Sequence, residues 1–187
     1  MNLLSELNNL VIPTNLTRKL TINGETKVFP VYKINISVLY YNDQNDRIAS
    51  WISQYKEENG SDSLNILDKG EYNNVIENFI VSSNPSSIDK TAMNIKLIGQ
   101  REPGVVLNDG RIIDGNRRFT CIRKLNKNFS NYIWFEAVIL DMDINDNRKM
   151  IKMLELSIQH GEEKRVEYNR VEMLIGIYQD IVETKLL

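Results

Sequence analysis

Residues 103–122 read PGVVLNDGRIIDGNRRFTCI, and this stretch decides the fold. Gly104 to Leu107 is a short apolar run of strand type. Asn108-Asp109-Gly110 is a tight-turn signal, and Arg111 to Asp114 resumes as a second strand. Gly115 permits a sharp turn, and Asn116-Arg117-Arg118 leads into the helical run FTCIRKLN. A helix that starts directly after a strand leaves free backbone N–H groups, which favour an anion. Arg117 and Arg118 add fixed positive charge and forked donors suited to phosphate at that same point. From Asp109 to Lys127, the six basic residues Arg111, Arg117, Arg118, Arg123, Lys124 and Lys127 face only Asp109 and Asp114, a local excess of four positive charges. The same residues also suit a solvated helix face whose arginines cap nearby carboxylates.

The whole chain has no such bias. Its 187 residues are 42% hydrophobic and carry 23 Lys+Arg against 25 Asp+Glu, a formal net charge of −2. That balance excludes a uniformly basic nucleic-acid coat and an acidic disordered tail. A chain of this length buries roughly 70% of its unfolded surface, enough for one domain with a real core. No uninterrupted apolar run approaches the roughly 20 residues of a membrane span. The N-terminus lacks the basic region of a secretory signal, and a cytosolic protein is expected. The single Cys121 excludes an internal disulfide and a cysteine-cluster zinc site, and the single His160 an all-histidine metal centre.

Outward from the central stretch, Leu3, Leu4, Leu7 and Leu10 predict a short helix over residues 3–10. Asn23-Gly24 predicts a type I′ hairpin between strands at 17–22 and 25–34, with Pro30 on an edge or at a bulge. Alternation continues the second strand to Leu39, and residues 40–47 read as a loop. Helices are predicted over 48–58 (Ile48, Trp51, Ile52, Tyr55), over 71–81 (Val75, Ile76, Phe79, Ile80), and from a cap at Ser87, Ser86 or Asp89 to Ile98. A strand at 133–140 and helices at 147–159 and 166–186 follow. The last helix suits packing on its own domain, dimerisation, or docking to a following domain.

Three blocks, in order, resemble the N-terminal domain of ParB-type partition proteins. That family shows Pro-Ile-x-Val, a hairpin, and Gly-Glu-Arg-Arg opening a helix, which Pro103-Gly104-Val105-Val106, a hairpin and Gly115-Asn116-Arg117-Arg118 resemble here. Ahead of it, Asn42-Asp43-Gln44-Asn45-Asp46-Arg47 resembles the family's Asn-Pro-x-Gln-Pro-Arg. Behind it, Ser157-Ile158-Gln159-His160 resembles Asn-Ile-Gln-Arg, and Glu167 falls on a glutamate of the next helix. The resemblance covers about residues 30 to 175. It extends to sulfiredoxins and to restriction and phage-defence proteins.

The resemblance implies an α+β fold: a small mixed sheet with surrounding helices and a C-terminal helical part. The implied organisation is an N-terminal helix and hairpin (1–29), a ParB/sulfiredoxin-like core (30–145) with a helical insertion (48–98), and C-terminal helices packing on the core (146–187). It also implies that Asp114, Gly115, Asn116, Arg117 and Arg118 contact phosphates. Ser157 and Gln159 would sit near phosphates and metal, and Asn42, Asn45 and Arg47 would line the nucleotide pocket. His160 is a phosphate candidate from its place beside Gln159, and Glu155, adjacent to Leu156 where the family has a glutamate, is the candidate metal ligand. The implied ligands are a nucleoside triphosphate and Mg²⁺. The implied role is a switch or slow NTPase in a DNA-related system, with DNA reached through other domains or subunits and a homodimer through the C-terminal helices. The alternatives are a metal-dependent nuclease using Asp109, Asp114 and His160, or a DNA- or protein-interaction module with a vestigial pocket.

The departures from the family narrow this. Asn116 replaces the family's glutamate and stands where sulfiredoxins carry their catalytic cysteine, so sulfiredoxin chemistry is not expected. Cys121 is expected to be a small core residue. Thr120 and His160 each replace an arginine, and Leu156 a glutamate beside Glu155. Asp-Gly-Asn-Arg-Arg is closer to the Asp-Gly-Gln-x-Arg variants of defence and mobile-element proteins. Among the remaining candidates, Asp141, Asp143 and Asp146 read as a solvated turn with a helix cap, and Tyr40 and Tyr41 as base contacts beside Asn42.

Overall fold

The computed structural model describes residues 2–44 and 48–161. Its strands are β1 (Val11–Ile22), β2 (Glu25–Asn35), β3 (Gly104–Leu107), β4 (Ile112–Asp114) and β5 (Trp134–Leu140). Its helices are α1 (Ala49–Asn59), α2 (Lys69–Ser83), α3 (Pro85–Ile98), α4 (Asn116–Phe129) and α5 (Ile144–Gly161). The strands form one sheet in the order β1-β2-β5-β3-β4. β3 and β5 run parallel and the other pairs antiparallel, so the fold is α+β with a mixed sheet.

The β1–β2 hairpin turns where the sequence predicts. Asn23 and Gly24 have φ of 52° and 78°, the paired positive values a type I′ turn requires. Pro30 pairs with Thr17, immediately after a register irregularity between Pro13 and Thr17. The ladder to β5 begins only at Val31, so the missing proline N–H interrupts no bond there.

Two expectations near the hairpin are corrected. Residues 3–10 form only a 3₁₀ turn at Leu3–Ser5. Asn8 is left-handed at φ 67°, Leu7 bridges to Val11, and β1 starts six residues earlier than predicted, at Val11. So short a segment cannot nucleate a helix against competing strand pairing. The second strand stops at Asn35 rather than Leu39, because the Asn35 side chain accepts from the Ser37 N–H and starts a 3₁₀ turn over Ile36–Val38.

Helices form within residues 48–98 as predicted, but the α3 cap is Asn84. Its Oδ1 accepts from the Ser87 N–H at 3.1 Å, with Pro85 in the first turn. Replacing Asn84 with alanine is expected to cost about 1 kcal/mol, measured as a shift in urea midpoint at unchanged slope. At the other end of the core, the Asp143 carboxylate accepts from the Asn145 N–H at 2.7 Å, the capping role expected of that acidic turn.

Strand alternation sends apolar side chains to both sheet faces. Ile34, Val106, Ile112, Phe135, Ala137 and Ile139 pack with Ile52 of α1, Ile76 and Ile80 of α2, Ile88 and Ile95 of α3, and Phe119, Ile122 and Leu125 of α4. Leu20, Val31, Val105, Leu107, Ile113, Val138 and Leu140 pack with Ile151, Leu154 and Ile158 of α5. The sheet is thus covered by four helices on one face and by α5 on the other. No described helix is long and apolar enough to cross a membrane. Asn45, Arg47, Glu167 and the helix expected over 166–186 lie outside the described residues.

Candidate functional site

The site begins where β4 ends. Ile112 and Ile113 are buried on opposite faces, and Asp114 is the last strand residue. Gly115 then takes φ 105°, a left-handed conformation that L side chains rarely adopt. A Cβ there would stand 2.9 Å from Phe135 Cζ and 3.4 Å from Gly104 Cα. The chain therefore needs glycine for both conformation and space. α4 starts at the next residue, and its glycine cap offers no side-chain acceptor to the first N–H groups. Nor does its first turn carry an acid. The positive end of the helix is thus directed at the turn without a side-chain capping bond.

The arginines are held by protein carboxylates and carbonyls. Arg118 folds back over Gly115, its Nε 3.5 Å from where a Cβ would stand. Its Nη2 donates to Asp114 Oδ2 at 3.0 Å and its Nη1 to the Glu102 carbonyl at 2.8 Å. The same Asp114 oxygen accepts from Arg18 Nη1 of β1 at 2.9 Å, and Arg18 Nη1 also reaches the Pro103 carbonyl at 2.6 Å. The Arg18, Asp114 and Arg118 side chains are only 15%, 10% and 16% exposed. Arg117 is half-buried on the first turn of α4.

Asn116 is 8% exposed, and its Oδ1 is buried without a hydrogen-bond partner among the described residues. Thr120 bonds back to the Asn116 carbonyl and shares a hydrogen bond with the Tyr41 hydroxyl at 2.8 Å. Burial pushes the Cys121 thiol up to about 12, against the opposing charge of Arg117, and its Sγ lies against the Ile88 carbonyl. Cys121 is a core residue with no thiolate at neutral pH.

The Asn42 block arrives at the same end of the sheet. Tyr40 bridges Arg111 in parallel, so the chain beyond it runs in the direction β4 takes toward Gly115. Asn42 is buried, and its Oδ1 accepts from the Gln44 N–H at 3.2 Å, bracing its own loop. Tyr41 is corrected from a base contact to a core residue: it is fully buried, its ring 4.9 Å from that of Phe119. Tyr40 is half-buried and donates to Asp109, with Lys69 and Arg111 over its ring at 4.8 and 5.1 Å. Desolvation raises its phenol well above the ordinary range. Asp109 also accepts from the Arg111 N–H, the turn-forming role expected of it.

The third block rides on α5, across the sheet from α4. Glu155 is buried with Lys152 3.9 Å away, and Ser157 is exposed. Gln159 and His160 fall in the last turns of α5, and their side chains lie outside the description. Among the described residues no three His, Cys, Asp or Glu side chains converge as a metal cage.

A cleft of about 310 Å³ opens beside the turn, between α3 and residues 99–102. Lys90, Thr91, Asn94, Arg101 and Glu102 line it, and Arg118 forms the wall it shares with the turn. Gln100 fixes this loop to the sheet, its amide bonding to both the N–H and the carbonyl of Glu136.

Sequence reasoning missed Arg18 and Glu102. Arg18 had a signal: it keeps phase with Leu20 and Ile22, so a charge stands on the buried face of β1. The local charge excess is corrected too, because distant acids offset it. Arg111 pairs with Asp43 at 3.4 Å, Lys124 with Asp89 at 3.0 Å, and both Arg123 and Lys127 with Glu77.

No protein-family model and no curated protein matches this chain. Among solved structures, a Pnob8-like ParB-N domain in a C2221 crystal form is similar at a TM-score of 0.46 and 12% sequence identity. The match covers 78% of this chain and 42% of that one, so this chain spans less than half the length of the solved chain.

Proposed function

We propose that this chain is a nucleotide-binding domain that takes a nucleoside triphosphate with Mg²⁺ at the Gly115–Arg118 turn. It then acts as a binding-dependent switch or slow NTPase in a DNA-related system such as partition, restriction or phage defence. The observation that carries the reading is the junction itself. A helix starts on a glycine cap, with no acid in its first turn and two arginines beside it, next to a polar cleft that shares Arg118. Helix-start amides and guanidinium groups together suit a polyphosphate.

Asn116 makes the reading more specific. A buried, unpaired amide oxygen repels a bare anion but suits a ligand that brings its own cation or N–H donor. Mg²⁺ characteristically keeps waters and phosphate oxygens and takes only one or two carboxylates from protein. In this reading Glu155 would be the carboxylate, with Ser157 and Gln159 nearby on α5. The ion would neutralise phosphate charge. The chain's own part is to cradle the phosphates on α4 amides, offset their charge with Arg117 and Arg118, and orient the nucleoside in the cleft. Where phosphates contact both the turn and α5, binding favours whichever arrangement brings the two together, by differential affinity.

DNA contact belongs in this proposal to other domains or subunits, because the chain's net charge of −2 gives it no broad basic surface. No observation favours the nuclease alternative. Asp109 sits at the hairpin turn bonded to Tyr40, whereas Asp114 sits at the end of β4 between two arginines.

The test is calorimetric titration of ATP, GTP, CTP and UTP with and without Mg²⁺. Saturable binding is expected for at least one, and Arg117→Ala is expected to weaken it roughly tenfold or more. Absence of saturable binding, or an Arg117→Ala protein that binds as wild type does, overturns the reading.

A further inference from the structure

We propose that Asp114 is a built-in competitor for Arg118, and that Arg18 on the N-terminal hairpin sets how strongly it competes. The inference rests on the phosphate reading of the Gly115 turn and assigns that site a control element.

Arg118 lies against Gly115, within reach of an anion at the α4 amides. Both of its terminal nitrogens are nevertheless engaged by the protein, one by Asp114 at 3.0 Å and one by the Glu102 carbonyl at 2.8 Å. An incoming phosphate therefore meets Asp114 in two ways. The carboxylate is a rival acceptor for Arg118, and it is a like charge beside the binding position. Its low exposure reduces screening by water and salt, so both effects keep their strength.

Arg18 opposes both. Its Nη1 takes the same carboxylate oxygen at 2.9 Å, and so competes with Arg118 for Asp114. With Arg18 docked, the Asp114 charge is shared between two cations and its hold on Arg118 is weaker. With Arg18 removed, Asp114 bears more strongly on Arg118 and on the ligand. Arg18 is a positioning residue that acts through Asp114. It stands 96 residues away in sequence, on a hairpin outside the phosphate turn. By linkage, an anion that binds more tightly when Arg18 is docked also docks Arg18 more tightly.

The signs of two substitutions separate this from a purely structural role. The probe is inorganic tripolyphosphate with Mg²⁺, titrated into the full chain at fixed ionic strength. Asp114→Asn is expected to bind roughly fivefold more tightly than wild type, and Arg18→Ala roughly fivefold more weakly. Arg18→Lys, which keeps the charge, is expected to restore most of the affinity. Arg117→Ala reports on the phosphate site itself. If it abolishes wild-type binding while Asp114→Asn and Arg18→Ala bind as wild type does, the competitor role is overturned and the phosphate reading stands. Weaker binding by both Asp114→Asn and Arg18→Ala marks a structural role and also overturns it. If neither wild type nor Asp114→Asn binds, the phosphate reading fails and takes this inference with it. Should Asp114→Asn not fold, the Arg18→Ala and Arg18→Lys pair decides: loss with rescue supports the role, and no loss overturns it.

Discussion

Gly115→Ala is expected to destabilise the fold by about 3 kcal/mol and to remove binding at the turn. Two costs add. An L residue held in the left-handed region costs roughly 1–2 kcal/mol. The new methyl would also stand 2.9 Å from Phe135 Cζ. That ring is fully buried and packed edge-on against Phe119 at 5.8 Å, so it has little room to retreat. Crowding of this kind costs about 1–3 kcal/mol. Denaturant unfolding of the variant measures the sum. Gly24→Ala supplies the control, because Gly24 is also left-handed, at φ 78°, but a Cβ there meets nothing within 4 Å. The difference between the two variants isolates the crowding at Phe135. Equal losses in the two variants would show that the ring yields and that conformation alone demands glycine at 115.

Glu77→Ala is the second large effect, expected at about 3 kcal/mol, the lower part of the range for breaking a buried ion pair. Glu77 is a nearly buried carboxylate on α2 that accepts from Arg123 Nε at 2.5 Å and from Lys127 Nζ at 2.6 Å. Arg123 lies over the rings of Tyr41 and Phe119 and, among the described residues, keeps Asn74 as its side-chain hydrogen-bond partner once the carboxylate is gone. Lys127 is largely exposed and regains water, which keeps the loss below the top of that range. Glu77→Gln, which retains one acceptor, is expected to lose about half as much. A double-mutant cycle with Arg123→Ala gives the coupling directly, and a coupling near zero would refute the pairing as a source of stability. The result bears on the site because α2 and α4 are joined through this carboxylate. Through it α2 steadies the helix that carries Arg117 and Arg118.

These two residues also mark how far sequence reading reaches. Gly115 was legible because its role is local: a strand pattern, a glycine and a helix pattern in succession fix both conformation and position. The Asn23-Gly24 turn, the β3–β4 hairpin, α4 and β5 were legible for the same reason. Glu77 was not, because nothing in its own segment distinguishes it from a solvated carboxylate. Its meaning lies in Arg123 and Lys127, 46 and 50 residues away. Tyr41 failed in the same way. Beside Asn42 it reads as an exposed loop aromatic, yet the bridge between Tyr40 and Arg111 draws it under α4. The N-terminal helix failed for the opposite reason: its leucine spacing is helical, but pairing of Val11 with Ile34 recruits the chain into the sheet first. The candidate phosphate turn was thus visible as a motif, whereas the carboxylates that hold its arginines were visible only in three dimensions.

The strand order also sets a schedule for how this chain can fold. The β1–β2 hairpin closes through two residues and can form as soon as its own segment is available. Its inner edge, however, pairs Val31 with Val138 on β5, and β5 is also the strand that receives β3. Everything between, including all four helices of one face, must be made before that central strand can be inserted. Until then β2 is an open edge of unpaired N–H and carbonyl groups beside an apolar face, the state most exposed to wrong strand pairing. Emergence of β5 joins the two halves, and only then can Arg18 meet Asp114. The contact proposed to tune ligand affinity is therefore among the last to form, and its presence reports that the whole sheet has closed.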